Sequence, residues 1–494
     1  MISETILKRF FEYSEKTPDQ LFLVDPSGSY TYGEAGRRVR RGVEKLKELG
    51  IRQGDRVAVS CTQDSRFLLA LIAAEASGAV CVPIEAHMKE ERLKGILEDT
   101  GAAVLFTGED ALSLRSPRML AIEELTDLAG DAPMPELPGE EMTAEILYTT
   151  GTTGKSKGIE ITHANNYALA ENICFGCGMR EKNVELVPLP LSHSHGLRTC
   201  FANIYAGGTV ILTDGVSKVK EIYDLIRDYG ATAMDLSPTA VNVLLRLSRG
   251  RFSDFNGQLD YIEIGTAPLS EGLKGQLKKA FPDVRLYNFY GSTESGRSCV
   301  LNFNSDEDEP CCIGYPSKHA RFFVVDDAGR EFRSSKEHTG LLACEGAMTM
   351  KGYFRQEELT KSVLRGGALF TADEGYIDEK GRVFCLGRRD DVVNYRGIKI
   401  APEEIESIAA AFPGITDAAL VGKDDARAGQ LPVLCYMTNQ EDFDEASFSL
   451  YLSEKIEKDR LPHELLQCKS IPRTANGKLR RGVLKEQLYG ASKQ

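Results

Sequence analysis

Two different spacings of apolar residues alternate along the first part of the chain. Some segments carry apolar residues at helical spacing, and short apolar runs lie between them. The predicted helices cover residues 37–49, 67–76, 90–97, 164–173 and 221–229, and the predicted strands cover residues 57–59, 79–82, 104–106, 210–212, 231–236 and 262–264. We expect the strand at 79–82 to end at Pro83, and the polar residues 107–143 to form a surface connection. Strand–helix alternation of this kind predicts layered α/β sheets with largely parallel strands.

The pattern changes after residue 310. A run of apolar residues at 322–325 precedes the turn sequence 326–329, which indicates a β-rich region. Pro402 stands at the first position of a predicted helix. The apolar face of that helix comprises Ile405, Ile408, Ala409 and Phe412. The final residues, 415–494, predict a small α/β domain with strands at 418–421 and 433–437 and a helix at 448–456.

Length and composition limit the classes of protein to which this chain can belong. At 494 residues the chain exceeds the size at which a single core stops growing, so we expect at least two domains. The net charge of −13, without a Lys/Arg-rich run, argues against a nucleic-acid or anionic-membrane partner. No apolar run approaches the roughly 18 residues that span a bilayer, and the N-terminus lacks the pattern of an export signal. We therefore expect a cytoplasmic protein.

The twelve cysteines are scattered through predicted strands and helices. That distribution is typical of small buried residues in a reducing cytosol. Cys174 and Cys177 have the spacing of a redox pair or of half a metal site. No second pair lies at zinc-ligand spacing, and Cys311 and Cys312 are equally unpartnered. We interpret both pairs as chance.

A glycine- and threonine-rich stretch, residues 148–158, follows an apolar lead-in that predicts the end of a buried strand. Glycine allows main-chain N–H groups to approach a ligand, threonine adds hydroxyl donors, and lysine adds positive charge. That chemistry suits a polyphosphate. Only two residues separate Gly151 from Gly154, so the spacing disfavours a Walker-type P-loop. The alternative is a flexible surface loop.

Three further segments place polar groups at or near strand ends. Residues 262–268 and 286–294 predict strands that run into tight turns. Glu294 could hold Mg²⁺ against phosphate oxygens, or it could cap the N-terminus of a helix. Asp373 lies in a predicted glycine-containing turn, where a carboxylate suits a ribose diol.

Two histidines and one lysine also carry candidate chemistry. His193 and His195 lie two residues apart on a segment that we predict to be extended, so both would point to the same side. A metal pair is one reading, but no third ligand is visible nearby, and a pocket wall or ordinary packing is favoured. Lys478 follows residues 473–477 in a tail that could simply be a solvated basic loop.

Taken in order, these motifs resemble the adenylate-forming superfamily of acyl- and aryl-CoA synthetases, firefly-type luciferases and non-ribosomal adenylation domains. The resemblance covers nearly the whole chain, beginning with residues 30–32 and 54–59. It implies an α/β protein with an N-terminal domain over 1–389, which includes a β-rich subdomain, and a small mobile C-terminal domain over 390–494. The implied activity joins a carboxylic acid to ATP as an acyl-adenylate with release of pyrophosphate, and then transfers the acyl group to a thiol.

The resemblance also implies roles for individual residues. Glu294 would hold Mg²⁺, Asp373 and Arg388 would reach the ribose, and Thr293 would contact the α-phosphate. The remaining implied ATP-binding residues are Thr149, Thr150, Gly151, Thr152, Thr153, Gly154 and Lys157 of the phosphate loop, with Gly265, Thr266, Ala267, Pro268, Asn288, Tyr290 and Gly291 around the adenine. Ser156 stands where the family commonly has proline.

Further roles concern the two half-reactions. Lys478 resembles the lysine that clamps the acid and the α-phosphate during adenylation, and Asp390 falls at the hinge. Gly397 matches a glycine that lines the thiol tunnel after the domain has rotated. His193 matches a catalytic position beside the acyl pocket, and we predict that His193, His195 and Met234 line that pocket.

The motifs also indicate which kind of adenylate-forming enzyme the chain resembles. The segment around His193 lacks the aspartate that holds an α-amino group in amino-acid adenylation domains. The compact length and Gly397 favour an acyl- or aryl-CoA ligase that uses ATP, Mg²⁺ and coenzyme A. The alternative is a stand-alone enzyme that loads the phosphopantetheine of a carrier protein. Neither the acid nor the oligomeric state follows from the sequence.

Overall fold

The computed structural model describes residues 4–108, 118–149, 157–425, 427–473 and 479–490. Its helices are α1 Ile6–Lys16, α2 Tyr32–Glu48, α3 Ser65–Ala76, α4 Glu90–Thr100, α5 Glu123–Thr126, α6 His163–Cys177, α7 Ser194–Ala206, α8 Val219–Asp228, α9 Pro238–Leu247, α10 Glu271–Ala280, α11 Glu357–Val363, α12 Pro402–Ala410, α13 Glu445–Lys455 and α14 Arg481–Tyr489. A short 3₁₀ helix covers Arg251–Phe255.

The strands of the first half are β1 Leu21–Asp25, β2 Gly28–Thr31, β3 Arg56–Ser60, β4 Val80–Ile84, β5 Val104–Thr107, β6 Arg118–Ala121, β7 Thr143–Thr149, β8 Lys157–Thr162, β9 Val184–Val187, β10 Thr209–Leu212, β11 Ala233–Leu236 and β12 Tyr261–Ile264. Those of the second half are β13 Arg285–Ser292, β14 Gly296–Asn302, β15 Cys312–Pro316, β16 Arg321–Val325, β17 Glu331–Phe332, β18 Gly340–Glu345, β19 Gly352–Tyr353, β20 Leu364–Arg365, β21 Ala368–Ile377, β22 Val383–Arg388, β23 Val393–Tyr395, β24 Ile398–Ile400, β25 Ile415–Asp425, β26 Gly429–Thr438 and β27 Glu464–Gln467.

Two large sheets form the N-terminal part. The first runs β17-β16-β18-β21-β22-β15-β14-β13-β12-β11-β9-β10-β1-β2, with β20 beside β21, and the second runs β19-β8-β7-β4-β3-β5-β6. Strands β1, β10, β9, β11, β12 and β13 are parallel neighbours. The remaining strands from β14 to β22, except β19 of the second sheet, pair antiparallel and form the predicted β-rich region. The predicted layered α/β fold with a β-rich subdomain is therefore confirmed.

Helix α3 shows why the two sheets stack. All its residues except Arg66 are buried, and most of them are apolar, so the helix has no solvent-exposed face. A helix of this kind must lie inside a core. One buried cluster joins α3 to Phe22 and Val210 of the first sheet and to Val57 and Val104 of the second. The main core therefore lies between the sheets.

Two details of the sequence prediction are wrong. Strand β4 continues through Pro83 to Ile84, where it still pairs with β3. Since β7 pairs with β4 only at Cys81, the missing N–H of Pro83 lies beyond the β7 ladder. The expected surface connection at 107–143 contains β6 and α5 within its described part. Ile122 and Leu125 anchor this segment in the main core.

A small α/β domain follows β22, as predicted. Strands β24-β23-β26-β25 form its sheet, with β27 beside β26. Two hydrophobic clusters made entirely of residues from 393 onward form its core. Pro402 begins α12, and Ile405 and Ala409 are buried there, which confirms the predicted apolar face. The backbone N–H of Glu271 in α10 donates to Ser407 Oγ at 2.9 Å, so α12 contacts the N-terminal part. Among the described helices, none is long and apolar enough to cross a membrane.

A buried ion pair links the sheets through α7. Arg198 of α7 lies 2.5 Å from Glu145 of β7, and their side chains are 1% and 0% exposed. Glu75 of α3 is buried beside them, and burial followed by the Glu145 charge raises its pKa well above the ordinary value. Arg198 is therefore the cation that offsets Glu145 in this cluster.

Replacing Arg198 with alanine is expected to lower the free energy of unfolding by about 3–5 kcal/mol, because it leaves a buried carboxylate unpaired. The measurement is the shift of the denaturant midpoint of the N-terminal part. Lys361→Ala, which removes the exposed partner of Glu358, is the control for loss of a surface pair. An Arg198 variant that unfolds at the wild-type midpoint would contradict this role.

Candidate active site

Two groups of predicted site residues lie where parallel strands end. Strands β9, β11, β12 and β13 are parallel, so their carboxyl ends meet at one edge of the sheet. Ile264, the last residue of β12, is opposite Asn288 of β13. Gly265 therefore lies beside the segment that carries Tyr290. Ligands of α/β sheets bind at this edge.

The glycine-rich stretch joins β7 to β8. Thr149 ends β7 opposite Lys157, the first residue of β8, so the two strands that flank the stretch are antiparallel neighbours. The remaining predicted phosphate-loop residues, Thr150, Gly151, Thr152, Thr153 and Gly154, lie outside the described residues. The ammonium of Lys157 lies 5.4 Å from the centre of the Tyr353 ring, and Tyr353 belongs to β19, which pairs with β8.

Glu294 lies in the turn between β13 and β14. Tyr353 donates its hydroxyl to Glu294 Oε1 at 3.0 Å, and the backbone oxygen of Glu294 accepts from Met350 N at 2.9 Å. Strand β14 begins at Gly296, so Glu294 caps no helix and that alternative is wrong. A carboxylate held on one oxygen by a hydroxyl keeps the other oxygen for a ligand. This donor fits Mg²⁺, which binds through one or two carboxylates together with phosphate oxygens.

Asp373 lies in strand β21 and not in the predicted turn. The turn was inferred from Gly375, but the pairing of β21 with β22 shifts register between Glu374 and Gly375, which is a bulge within the strand. A Cβ at Gly375 would lie 2.2 Å from the carbonyl oxygen of Phe384. Tyr290 donates its hydroxyl to Asp373 Oδ2. Burial, followed by the Asp373 charge, raises the pKa of Tyr290 well above its ordinary value, so Tyr290 stays protonated. Arg388 Nε lies 3.9 Å from Asp373 Oδ1 and is more than half exposed.

The backbone is constrained on both sides of this carboxylate pair. Thr266 has a φ of +73°, unusual for a β-branched residue, and Ala267 and Pro268 continue its turn toward the surface. Gly291 approaches the β13–β14 turn so closely that a Cβ would lie 1.7 Å from Gly296 O. Thr293 is half-buried in the same turn. Of the two segments predicted to surround an adenine, residues 265–268 therefore follow β12, and Asn288, Tyr290 and Gly291 lie in the last part of β13.

The prediction that His193 and His195 lie on one extended segment is wrong. His193 is the N-cap residue of α7, and His195 lies in the first turn of that helix. A helical step separates residues two apart by about 200°, so the side chains do not share a side. Burial, with Arg92 opposing Glu85, lowers the pKa of His193 below its ordinary value. His193 is therefore a neutral, half-buried imidazole beside the sheet edge.

His195 packs against Gly265. A Cβ added to Gly265 would lie 2.2 Å from His195 Cε1, so the ring occupies the space beside that glycine. His195 Nε2 is 2.8 Å from Asp235 Oδ1. The side chain of His195 is 14% exposed, so a small part of it remains accessible to solvent.

The assignment of Met234 to the acyl pocket is wrong. Its side chain is fully buried in a core cluster with Leu186, Ile211 and Ile262. Successive residues of a strand point to opposite faces, so Met234 and Asp235 face opposite sides of β11. Since Asp235 contacts His195, Met234 lies on the far side of the sheet from the histidine.

The sequence analysis missed a row of buried carboxylates beneath His195. Asp235 of β11 lies directly opposite Glu263 of β12, and Glu185 lies on β9, the other neighbour of β11. All three are fully buried. Arg297 of β14 binds Glu263 and lies 3.3 Å from Asp235 Oδ2. The sequence pattern that could have revealed this row is a single acidic residue inside each of three apolar strands.

The C-terminal candidates are partly described. Lys478 lies outside the described residues. Asp390 is exposed in the turn between β22 and β23, and its backbone oxygen is 3.5 Å from Lys485 Nζ. Gly397 lies in the turn between β23 and β24 with a φ of +86°. Neither residue approaches the strand-end site through a described contact.

Comparison with known proteins identifies relatives over the whole chain. A family model described as AMP-binding enzyme matches residues 10–354, and one described as AMP-binding enzyme C-terminal domain matches residues 404–478. The chain is 28% identical over 486 residues to a 2-succinylbenzoate–CoA ligase of Oceanobacillus iheyensis, covering 97% of this chain and 98% of the relative. It is 27% identical over 511 residues to 4-coumarate–CoA ligase 3 of Arabidopsis thaliana, covering 97% and 90%. Among solved structures, ATP-bound MatB from Rhodopseudomonas palustris superposes with a TM-score of 0.88 at 25% identity, covering 99% of both chains.

Proposed function

This chain belongs to the AMP-binding enzyme family, and we infer that it is an AMP-forming acid–thiol ligase. It activates a carboxylic acid with ATP to an acyl-adenylate, releasing pyrophosphate. It then transfers the acyl group to the thiol of coenzyme A, which gives an acyl-CoA and AMP. Its substrates and cofactors are therefore the acid, ATP, Mg²⁺ and coenzyme A.

The observation that carries the assignment to this site is a pair of tyrosine-held carboxylates at the sheet edge. Tyr353 holds Glu294, and Tyr290 holds Asp373, so each carboxylate has one oxygen fixed and one available. We propose that Glu294 holds Mg²⁺ beside the phosphates and that Asp373, with Arg388, binds the ribose. The ring of Tyr353 also lies beside the ammonium of Lys157, which places positive charge next to the proposed Mg²⁺ position.

The remaining nucleotide contacts are proposed from the same edge. Residues 265–268, with Asn288, Tyr290 and Gly291, would surround the adenine, and Thr293 would contact the α-phosphate. The close approach at Gly291 and the strained Thr266 support a fixed backbone there. When bound, Mg²⁺ neutralises phosphate charge, and the chain contributes Thr149, Lys157 and the loop that they flank.

We propose a hinge at Asp390, between an N-terminal domain over 1–389 and a C-terminal domain over 390–494. The clusters formed by residues from 393 onward support a separate C-terminal core. Asp390 is exposed in a turn, so rotation there disturbs few side chains. The rotation would remove Lys478 from the site after adenylation and bring in the turn at Gly397.

A cytoplasmic location is proposed from the cysteines. All twelve lie among the described residues and are free, and nine of them are buried. Free thiols in this number are typical of a reducing compartment.

The decisive experiment measures pyrophosphate release with Mg-ATP over a panel of aliphatic, aromatic, hydroxylated and dicarboxylic acids. A second assay follows thioester formation with coenzyme A. We expect acid-dependent release followed by an acyl-CoA. Pyrophosphate release that leads to a thioester on a carrier protein but not on coenzyme A would mean that the carrier protein is the acyl acceptor. Absence of release with every acid would contradict the proposal.

Replacing Glu294 with glutamine is expected to lower kcat/KM for Mg-ATP more than Tyr353→Phe does. Loss of a residue that orients a metal ligand costs roughly 10- to 100-fold, which is the range expected for Tyr353→Phe. The measurement is pyrophosphate release against Mg²⁺ concentration, and both variants should need more Mg²⁺ than the wild type. Glu358→Gln, at an exposed carboxylate on α11, is the matched control. An unchanged Mg²⁺ dependence in Glu294→Gln would contradict the metal assignment.

A further inference from the structure

The buried network beneath His195 fixes which of its ring nitrogens carries the proton. Asp235 accepts at Oδ1 from the histidine ring and at Oδ2 from Thr199 Oγ1 at 2.6 Å, with Arg297 at 3.3 Å. Burial acts to raise the pKa of Asp235, but His195, Arg297 and Thr199 outweigh it and lower the value. Asp235 is therefore ionised and can only accept hydrogen bonds.

The imidazole itself is neutral. Burial, followed by the Arg297 charge, lowers the pKa of His195 despite the nearby Asp235 carboxylate. Arg297 also donates to the backbone oxygen of His195 at 3.0 Å, which keeps its positive charge close to the ring. A neutral imidazole has one N–H, and Asp235 requires it at Nε2. Nδ1 is therefore a bare hydrogen-bond acceptor.

The ring edge that carries both nitrogens of His195 packs on Gly265. A Cβ added to Gly265 would lie 2.2 Å from Cε1, 2.9 Å from Nδ1 and 3.1 Å from Nε2. Among the described residues, the hydrogen bond of this ring is the one between Nε2 and Asp235. Gly265 follows β12 at the sheet edge, where the acid and the nucleotide are proposed to bind. Because Asp235 occupies Nε2, Nδ1 is the nitrogen of this ring edge that remains for a ligand.

We propose that His195 is a specificity-determining residue that accepts a hydrogen bond from a hydroxyl group on the acid, and that Asp235 is the positioning residue that holds it in this tautomer. The inference rests on the proposed function. The substrate class is then a hydroxylated carboxylic acid, aliphatic or phenolic.

Two other classes of acid fit the Nδ1 acceptor of His195 less well. A plain hydrocarbon acid would remove water from Nδ1 without replacing its hydrogen bond, which is unfavourable for a buried acceptor. A dicarboxylic acid would place a second carboxylate against an acceptor and near Asp235 and Glu263. It would need a protonated histidine, which burial and Arg297 oppose.

The test compares kcat/KM for pyrophosphate release between matched acids. Each hydroxylated acid is paired with its deoxy parent and with the analogue in which a carboxylate replaces the hydroxyl. In the wild type we expect one hydroxylated acid to exceed both partners by roughly 10- to 100-fold, the effect of leaving a buried acceptor unpaired.

Two variants separate this role from a purely structural one. Asp235→Asn presents an amide N–H to Nε2 and so moves the ring proton to Nδ1, as loss of an orienting carboxylate does in catalytic triads. Its preference is expected to reverse toward analogues that carry an acceptor. His195→Phe keeps a ring but deletes the acceptor, so the ratio between hydroxylated and deoxy acids should fall to near one. If Asp235→Asn does not fold, the His195→Phe variant alone still tests the proposal.

Asp260→Asn makes the same chemical change at the opposite end of β12, where Asp260 pairs with Arg180, and should leave the ratio unchanged. Equal kcat/KM for all three members of every set, or an unchanged ratio in both His195→Phe and Asp235→Asn, would overturn this inference while the ligase assignment stands. No release with any acid would overturn both.

Discussion

Replacing Lys478 with alanine is expected to lower acid-dependent pyrophosphate release by roughly 100- to 1000-fold, the range for loss of one preorganised group that stabilises transition-state charge. Adenylation concentrates negative charge on a pentavalent phosphorus, and Lys478 is proposed to offset it. The residue lies outside the described part of the chain, so this role depends on its position after residues 473–477. Thiolysis of a supplied acyl-adenylate is expected to continue near the wild-type rate.

The two half-reactions are measured separately. Pyrophosphate release reports adenylation, and thioester formation from a synthetic acyl-adenylate and coenzyme A reports the second step. Lys469→Ala removes an exposed lysine from the same domain and should affect neither. Equal losses in both assays for Lys478→Ala would mean that the lysine supports the fold or both reactions, and the assignment to adenylation would be wrong.

Much of the architecture was predictable because the apolar pattern is strong. The predicted strands at 57–59 and 104–106 and the helix at 67–76 match β3, β5 and α3 to within two residues. The β6 strand and the α5 helix were missed because they lie in residues 107–143, which are polar overall, and because the four residues of α5 make only about one helical turn. Only the tertiary contacts of Ile122 and Leu125 show that this segment belongs to the core.

The position of the candidate site in the fold was predictable, but the contacts between its residues were not. Motifs that follow strand ends indicated where Gly265 and Glu294 would lie, because topology brings those ends together. The tyrosines that hold the carboxylates could not be found in the same way. Tyr353 is 59 residues from Glu294, and Tyr290 is 83 residues from Asp373. No local pattern encodes such pairings.

The errors around the histidines have a single cause. Residues 191–196 were predicted to be extended, but α7 begins at Ser194. Side chains alternate every two residues along a strand and every 3.6 residues along a helix, so the two structures place His195 on different sides. Asp235 and Glu263 carried a usable signal, since a charged residue inside a fully buried strand must have a partner. Their partner Arg297 lies on β14, which is antiparallel to its neighbour and far along the chain.

Replacing Gly397 with leucine is expected to lower thioester formation by about 100-fold, the effect of a small misplacement of reacting groups. Pyrophosphate release should stay within about two-fold, as for a surface substitution. Gly397 is exposed, and a Cβ added there meets nothing within 4 Å, so the described packing does not oppose a larger side chain. A loss confined to the second step would therefore arise in the rotated arrangement, where this turn is proposed to line the thiol path.

The positive φ of Gly397 adds strain to any substitution, so the control must share it. Gly381 has a φ of +80° in the turn between β21 and β22, and a Cβ there also meets nothing within 4 Å. Gly381→Leu should carry similar strain, of about 1–2 kcal/mol, without affecting either half-reaction. If both glycine variants lose thioester formation equally, backbone strain explains the loss. If only Gly397→Leu loses it, and Lys478→Ala shows the opposite pattern, two surfaces of one small domain serve the two half-reactions in turn.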